Sequence, residues 1–197
     1  ELPLYAWLPA VPLKVLGVQH PPLTYLRVWY LGYFAITCLF LFGLVRELGG
    51  DEVEATLSVA AFSLFPLSIF FSRSIQPDGP SLLFATAFLL YLSRASRETR
   101  NRWDLVFAAL AGALLLLTKI SNAYVAFPAL YLVLTRMGWR RAVRDAGMWS
   151  VLAGVLLPTV AWYAYAHGFA WSFGIWGDRT DNKFSSEALF FDPKKWK

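Results

Sequence analysis

Charge is scarce in this sequence. Asp, Glu, Lys and Arg make up 16% of its 197 residues, against about a quarter in ordinary soluble domains. Hydrophobic residues make up 57%, and the mean hydropathy is +0.48. A single soluble core of this size has no room to hide that much apolar surface. Disorder and an ordinary cytosolic enzyme are set aside on this ground, and a polytopic membrane protein is the class that remains. Cysteine is nearly absent: Cys38 stands alone inside an apolar run, so no disulfide can close within the chain. The only histidines, His20 and His167, lack zinc-ligand spacing. Gly49-Gly50 and Gly154 belong to no phosphate-binding glycine pattern, and no serine sits in a nucleophile elbow. A Walker or Rossmann nucleotide site is therefore not expected, nor is structural zinc. The net charge of +5 does not point to nucleic acid, because the basic residues cluster in short loops between apolar runs, where they report topology.

What the sequence has in abundance is apolar runs. Six stand out, at residues 23–45, 55–72, 80–96, 104–119, 120–136 and 147–166, each needing roughly 20 residues to cross the hydrocarbon. The third, fourth and fifth are short, and can cross if Trp103, Trp139 and the terminal arginines set the depth. The fourth and fifth read equally well as a helical hairpin that enters and returns, with Lys119 at its tip. The expected fold is thus all-α: a polytopic membrane helical bundle without a sheet, since open sheet edges cannot face lipid.

Basic residues orient it. Loops 46–54, 94–104 and 136–146 hold Arg46, Arg94, Arg97, Arg100, Arg102, Arg136, Arg140, Arg141 and Arg144, while the alternating loops hold Arg73 and Lys119. Nine against two places the first set in the cytoplasm. The other loops, the N-terminal segment and the tail then gather on the extracytoplasmic side. Three regions result: an extracytoplasmic interfacial segment over residues 1–22, a six-helix membrane bundle over 23–166, and an extracytoplasmic loop, or the start of a further region, over 167–197. Pro3, Pro9 and Pro12 keep the first of these from forming a long span, so it reads as a short interfacial helix closed by Lys14 and Gly17. With Glu rather than Met at residue 1, the chain reads as a piece of a longer polypeptide.

A charge near membrane depth costs roughly 2.5–3.5 kcal/mol on the mildest scale, so each needs a partner, a wet cavity or an interfacial place. On the outer side these are Glu1, Arg27, Arg73, Asp78 and Lys119. Each has a plain reading: Glu1 is a loop residue, Arg27 snorkels, Arg73 and Asp78 pair across a turn, and Lys119 marks a helix end. Asp78, in Gln76-Pro77-Asp78-Gly79-Pro80, sits where a helix opens, and so reads as an N-cap. It reads equally as a carboxylate facing an extracytoplasmic cavity. Asp178, Arg179 and Lys183 in the tail read as a solvated connector or as a lid or pocket over that cavity.

Several short stretches, taken in order, resemble a known family. They are Glu1-Leu2-Pro3-Leu4-Tyr5 with Trp7 and Leu16-Gly17; Arg27; Phe65-Pro66-Leu67; Ser72-Arg73; Pro77-Asp78; and Leu117-Thr118-Lys119. Together they look like the GT-C glycosyltransferases, in the branch of the dolichyl-phosphate-mannose protein mannosyltransferase-like and lipid A aminoarabinose transferase-like enzymes. The resemblance implies a multi-pass enzyme of the bacterial inner (plasma) membrane. It would move a sugar from a polyprenyl-phosphate carrier to a lipid, glycan or protein acceptor at the extracytoplasmic face. It further implies catalytic roles for Asp78 and Glu1, donor-phosphate binding by Lys119 and Arg73, and a catalytic loop upstream of residue 1. No cofactor is assigned, a divalent cation being left open, and membrane lipids rather than nucleic acid are the expected surroundings. Where the aminoarabinose transferases follow the corresponding Glu with Lys, this chain has Leu2.

The competing reading is a transporter or flippase for a lipid-linked or small polar substrate. Such a protein would place ionisable groups near the bilayer midplane, where these runs carry none.

Overall fold

The computed structural model describes residues 4–18, 22–74 and 76–172. Within them the chain is helices joined by short linkers, with no strand. The chain divides into two compact units, residues 1–159 and 160–197. Of the second, the described part is the end of the last helix, where Trp162 and Tyr165 stack at a tilt.

In the first unit, α1 covers Leu4–Val15, with Pro9 and Pro12 inside it. At about 18 Å long it cannot span a membrane, in keeping with the sequence reading. Gly17, at φ 69°, takes the left-handed turn that ends it, and the Val18 amide returns to the Leu13 carbonyl at 3.0 Å. The Tyr25 hydroxyl donates to the Pro9 carbonyl at 2.9 Å, tying α1 to the start of α2.

Helix α2, Leu23–Glu47, is about 37 Å long and stops where Gly49 turns left-handed. Asp51 and Glu54 form a reciprocal capping box that opens α3, Glu52–Leu64. The expected second span does not run straight. Pro66 lacks an amide and pushes Phe65 into extended backbone, so α3 ends and α4, Pro66–Arg73, leaves at a bend of 70°.

Helix α5, Asp78–Ala95, and helix α6, Arg102–Thr118, follow. The Asn101 carboxamide oxygen and the Asp104 carboxylate cap α6 by bonding the amides of Trp103 and Asn101. The expected fifth span, 120–136, is part 3-10 and part α: Ile120–Val125 forms a 3-10 turn, and only Ala126–Met137 forms an α-helix, α7. Lys119, extended at φ −160°, lies at the junction. The short α8, Trp139–Arg144, precedes α9, Ala146–Ser172. Asp145 caps α9 through the Met148 amide at 2.9 Å and pairs with Arg100 at 2.7 Å. Burial pushes its carboxyl upward, but the Arg100 hydrogen bond and charge and the backbone amides outweigh that, leaving it below the usual carboxylate range.

By length and apolarity, α2 and residues Ala146–Ala166 of α9 can each cross a membrane unaided, and the bent α3–α4 pair would make a third. Helix α5 packs along both α2 and α6. One core cluster joins Leu92, Ala108, Ala129, Val151 and Val155; another joins Tyr30, Tyr33 and Leu83. Small residues let the helices close on one another: a Cβ at Gly112 would lie 2.6 Å from Val155 Cγ2.

A buried carboxylate, absent from the sequence-based list of candidates, holds one end of the bundle. The Glu47 side chain, 4% exposed, meets Arg97 Nη2 at 2.5 Å, Arg136 Nη1 at 3.1 Å and Arg94 Nε at 3.6 Å. Arg136 Nη2 also donates to the Glu47 carbonyl at 2.6 Å, satisfying an orphan acceptor at the C-terminus of α2. One residue thereby ties the ends of α2, α5 and α7. Three arginines that appear in the sequence only as topology markers are here the partners of one acid.

Candidate functional site

The site is built where three chain segments change direction together. Pro77 has φ −65° and ψ −13°, already helical, so the Ser81 amide bonds the Pro77 carbonyl at 3.0 Å and the helix opens one residue before Asp78. This corrects the N-cap reading of Asp78. The cap position is Pro77, which has no side chain to bond the amides, and Asp78 lies inside the first turn with its carboxylate turned elsewhere.

Its partner is Lys119. Lys119 Nζ donates to Asp78 Oδ1 at 3.1 Å across 41 residues of sequence. Lys119 is indeed a helix end, closing α6, but it is more than that. The extended backbone there, between α6 and the 3-10 turn, carries its side chain back toward the first turn of α5. The two side chains are 34% and 35% exposed, so the pair is open to a ligand. An ammonium has three donors and a carboxylate two oxygens; the mutual bond engages one of each.

Asp78 also lines a cavity of 260 Å³, formed with Tyr30, Thr37, Ser68, Phe71 and Ser72 among others. The bend at Phe65 makes this space, since α4 turns away from the line of α3. The Tyr30 ring packs against the first turn of α5 at Gly79, where a Cβ would lie at an ordinary contact distance of 3.4 Å. A larger cavity of 410 Å³ runs between α5, α6, α7 and α9, lined by residues such as Phe88, Leu115, Leu130, Val133 and Leu152, with no titratable side chain on its wall. Asn122 lines it too, and the Asn122 amide bonds the Lys119 carbonyl at 3.0 Å. A hydrocarbon-lined space thus reaches the turn that follows the lysine.

Of the residues singled out from sequence, the structure brings Asp78 and Lys119 together. Arg73 is the last residue of α4, and its side chain is outside the described set. Glu1, Asp178, Arg179 and Lys183 lie outside the described residues. Among the described residues no three His, Cys, Asp or Glu side chains gather as a metal-ligand set. Asn122, Ser81 and Tyr30 escaped the sequence reading; the polar pair Ser121-Asn122 just after Lys119 in an apolar run was the one available signal for Asn122.

The fold is a helical membrane bundle, and its candidate site is an accessible acid–base pair whose acid lines a largely apolar cavity edged with hydroxyls. A family model described as dolichyl-phosphate-mannose-protein mannosyltransferase matches residues 2–165 of the 197. The chain belongs to that family, which makes it a membrane glycosyltransferase of the GT-C type. Comparison with curated proteins and with solved structures returned no match.

Proposed function

We propose that this glycosyltransferase takes its sugar from a polyprenyl-phosphate carrier and delivers it to an acceptor at the extracytoplasmic face of a bacterial inner membrane, with Asp78 and Lys119 at the reacting centre. The observation that carries the reading is the Asp78–Lys119 pair at 3.1 Å, open to ligand, with Asp78 on the wall of one cavity and Asn122, three residues past Lys119, on the wall of the other. Moving a sugar off a phosphate requires positive charge on the departing phosphate and a base for the acceptor hydroxyl. Lys119 keeps donors for a phosphate oxygen while holding Asp78, and Asp78 keeps a carboxylate oxygen for the acceptor proton. The apolar cavity that reaches Asn122 suits an isoprenoid chain, and the hydroxyl-edged cavity beside Asp78 suits a sugar or its acceptor. Arg73 would add a second cation and Glu1 a second carboxylate. Asp178, Arg179 and Lys183 would cover the site if the tail folds back over it. The same reading keeps six membrane-embedded segments between an interfacial N-terminal segment over 1–22 and a tail from 167.

The chemistry is tested by giving full-length protein in membranes dolichyl-phosphate-mannose with labelled sugar: label should leave the donor, and the donor should stay intact in membranes lacking the protein. The sidedness is tested separately, in a Cys38→Ser background, with single cysteines at the exposed positions Gln76, Arg102 and Arg140. In intact cells a membrane-impermeant thiol reagent should label Gln76→Cys and spare Arg102→Cys and Arg140→Cys until the cells are opened. The reverse pattern would put the Asp78–Lys119 pair on the cytoplasmic side and overturn the proposed acceptor face.

A further inference from the structure

Asn122 carries no chemistry of its own in the site, yet it is only 5% exposed and its polar bonds reach the backbone of Lys119 and, through Ser81, the first turn of α5 that bears Asp78. Its Nδ2 donates to Ser81 Oγ at 3.0 Å and to the Leu115 carbonyl at 3.1 Å, which engages both of its N–H groups. Its backbone amide donates to the Lys119 carbonyl at 3.0 Å, and Ser81 Oγ donates in turn to the Pro77 carbonyl at 2.8 Å. A chain of bonds therefore runs from the residue before Asp78, through Ser81 and Asn122, to the last turn of α6 and the Lys119 linker. Burying a carboxamide in an apolar bundle is costly unless its bonds are made, and an apolar side chain would fill the space without that cost. What the amide adds is register between the first turn of α5 and the end of α6.

We propose that Asn122, acting through Ser81, is a positioning residue that holds the Lys119 ammonium opposite Asp78; its consequence for donor binding rests on the site reading given above. Lys119 leaves α6 in extended backbone at φ −160°, its amide still bonded to the Leu115 carbonyl at 3.3 Å and its carbonyl held by the Asn122 amide, so the direction of its side chain depends on what the neighbouring turn is fastened to. Asn122 supplies that fastening. With it removed, Lys119 samples other directions and spends less time paired with Asp78 or with a phosphate beside it.

The test uses purified full chain in detergent and two readouts. The first is labelling of Lys119 by an amine-reactive reagent, quantified by mass spectrometry against the exposed Lys14. Asn122→Leu should raise the Lys119/Lys14 ratio about threefold or more, toward that of Asp78→Asn. Ser81→Ala, which keeps the bond to Leu115 and is the gentler change, should move it the same way by less. The second is binding of dolichyl phosphate. Asn122→Leu should weaken it about fivefold in the parent background and not at all in a Lys119→Met background, because a residue acting through the lysine has nothing left to position. Unchanged labelling in both Asn122→Leu and Ser81→Ala would overturn the inference. So would a loss of binding that adds fully to that of Lys119→Met, the mark of a merely structural role. If labelling rises as expected while Lys119→Met binds dolichyl phosphate as the parent does, the positioning role stands and the phosphate-binding role of Lys119 falls.

Discussion

Asp78→Asn in the full-length protein is expected to lower sugar transfer about a hundredfold or more, the scale of a lost general base, with insertion and folding kept. The substitution preserves shape and one carbonyl oxygen but removes the negative charge and the proton-accepting capacity. The pair it breaks is about one-third exposed on each side, where an ion pair contributes roughly 1 kcal/mol or less to stability. Activity and stability should therefore part company. Had Asp78 been a helix cap, Asn would have served nearly as well; the cap at this helix is Pro77. The check is the rate of labelled-sugar release from dolichyl-phosphate-mannose, beside the thermal midpoint of the same preparation. Full activity in the Asn variant would remove Asp78 from the chemistry.

The second large effect concerns stability rather than transfer. Glu47→Gln should destabilise the bundle by about 3 kcal/mol, near the lower end of what breaking a buried ion pair costs, because its three arginine partners are themselves 24–50% exposed. Distance alone would mislead here. Arg141 Nη1 approaches Glu98 Oε1 at the same 2.5 Å as Arg97 approaches Glu47, but Glu98 is 83% exposed, and such a pair contributes a few tenths of a kcal/mol. Unfolding midpoints of Glu47→Gln and Glu98→Gln in one detergent decide the matter: a clear drop for the first and almost none for the second is expected. Equal midpoints would mean that the cluster does not clamp the ends of α2, α5 and α7.

These two carboxylates mark the boundary of what a sequence of this kind discloses. In a chain so poor in charge, Asp78 and Lys119 stand out because ionised groups near lipid must be accounted for, and proline and glycine around Asp78 announce a chain reversal. The stops at Gly17 and Pro66 are legible for the same local reason, since left-handed backbone and a missing amide act on their immediate neighbours. Partnership is not local. Asp78 and Lys119 are 41 residues apart and Glu47 and Arg136 are 89 apart, and nothing in either stretch names the other. The breakdown of residues 120–136 into a 3-10 turn and a short helix was legible only in part. Pro128, the third residue of α7, has no amide to donate to the Tyr124 carbonyl and so marks a break in the sequence itself, whereas the bonds of Asn122 to Ser81 and Leu115 exist only once α5 and α6 have packed. Asp78 was off by one residue for a subtler reason: Pro-Asp-Gly-Pro suggests a cap at Asp, but Pro77 takes a helical ψ of −13°, which its ring does not dictate, whereas Pro22 with nearly the same φ is extended.

The central claim is that a lipid-linked phosphate is held by Lys119 beside Asp78, and the measurement closest to it leaves the sugar aside. Binding of dolichyl phosphate to the purified full chain should weaken about tenfold or more in Lys119→Met, the scale of a lost charge-assisted hydrogen bond, and should survive largely in Lys119→Arg, which keeps the charge. Equal affinity in the parent and Lys119→Met would contradict the account.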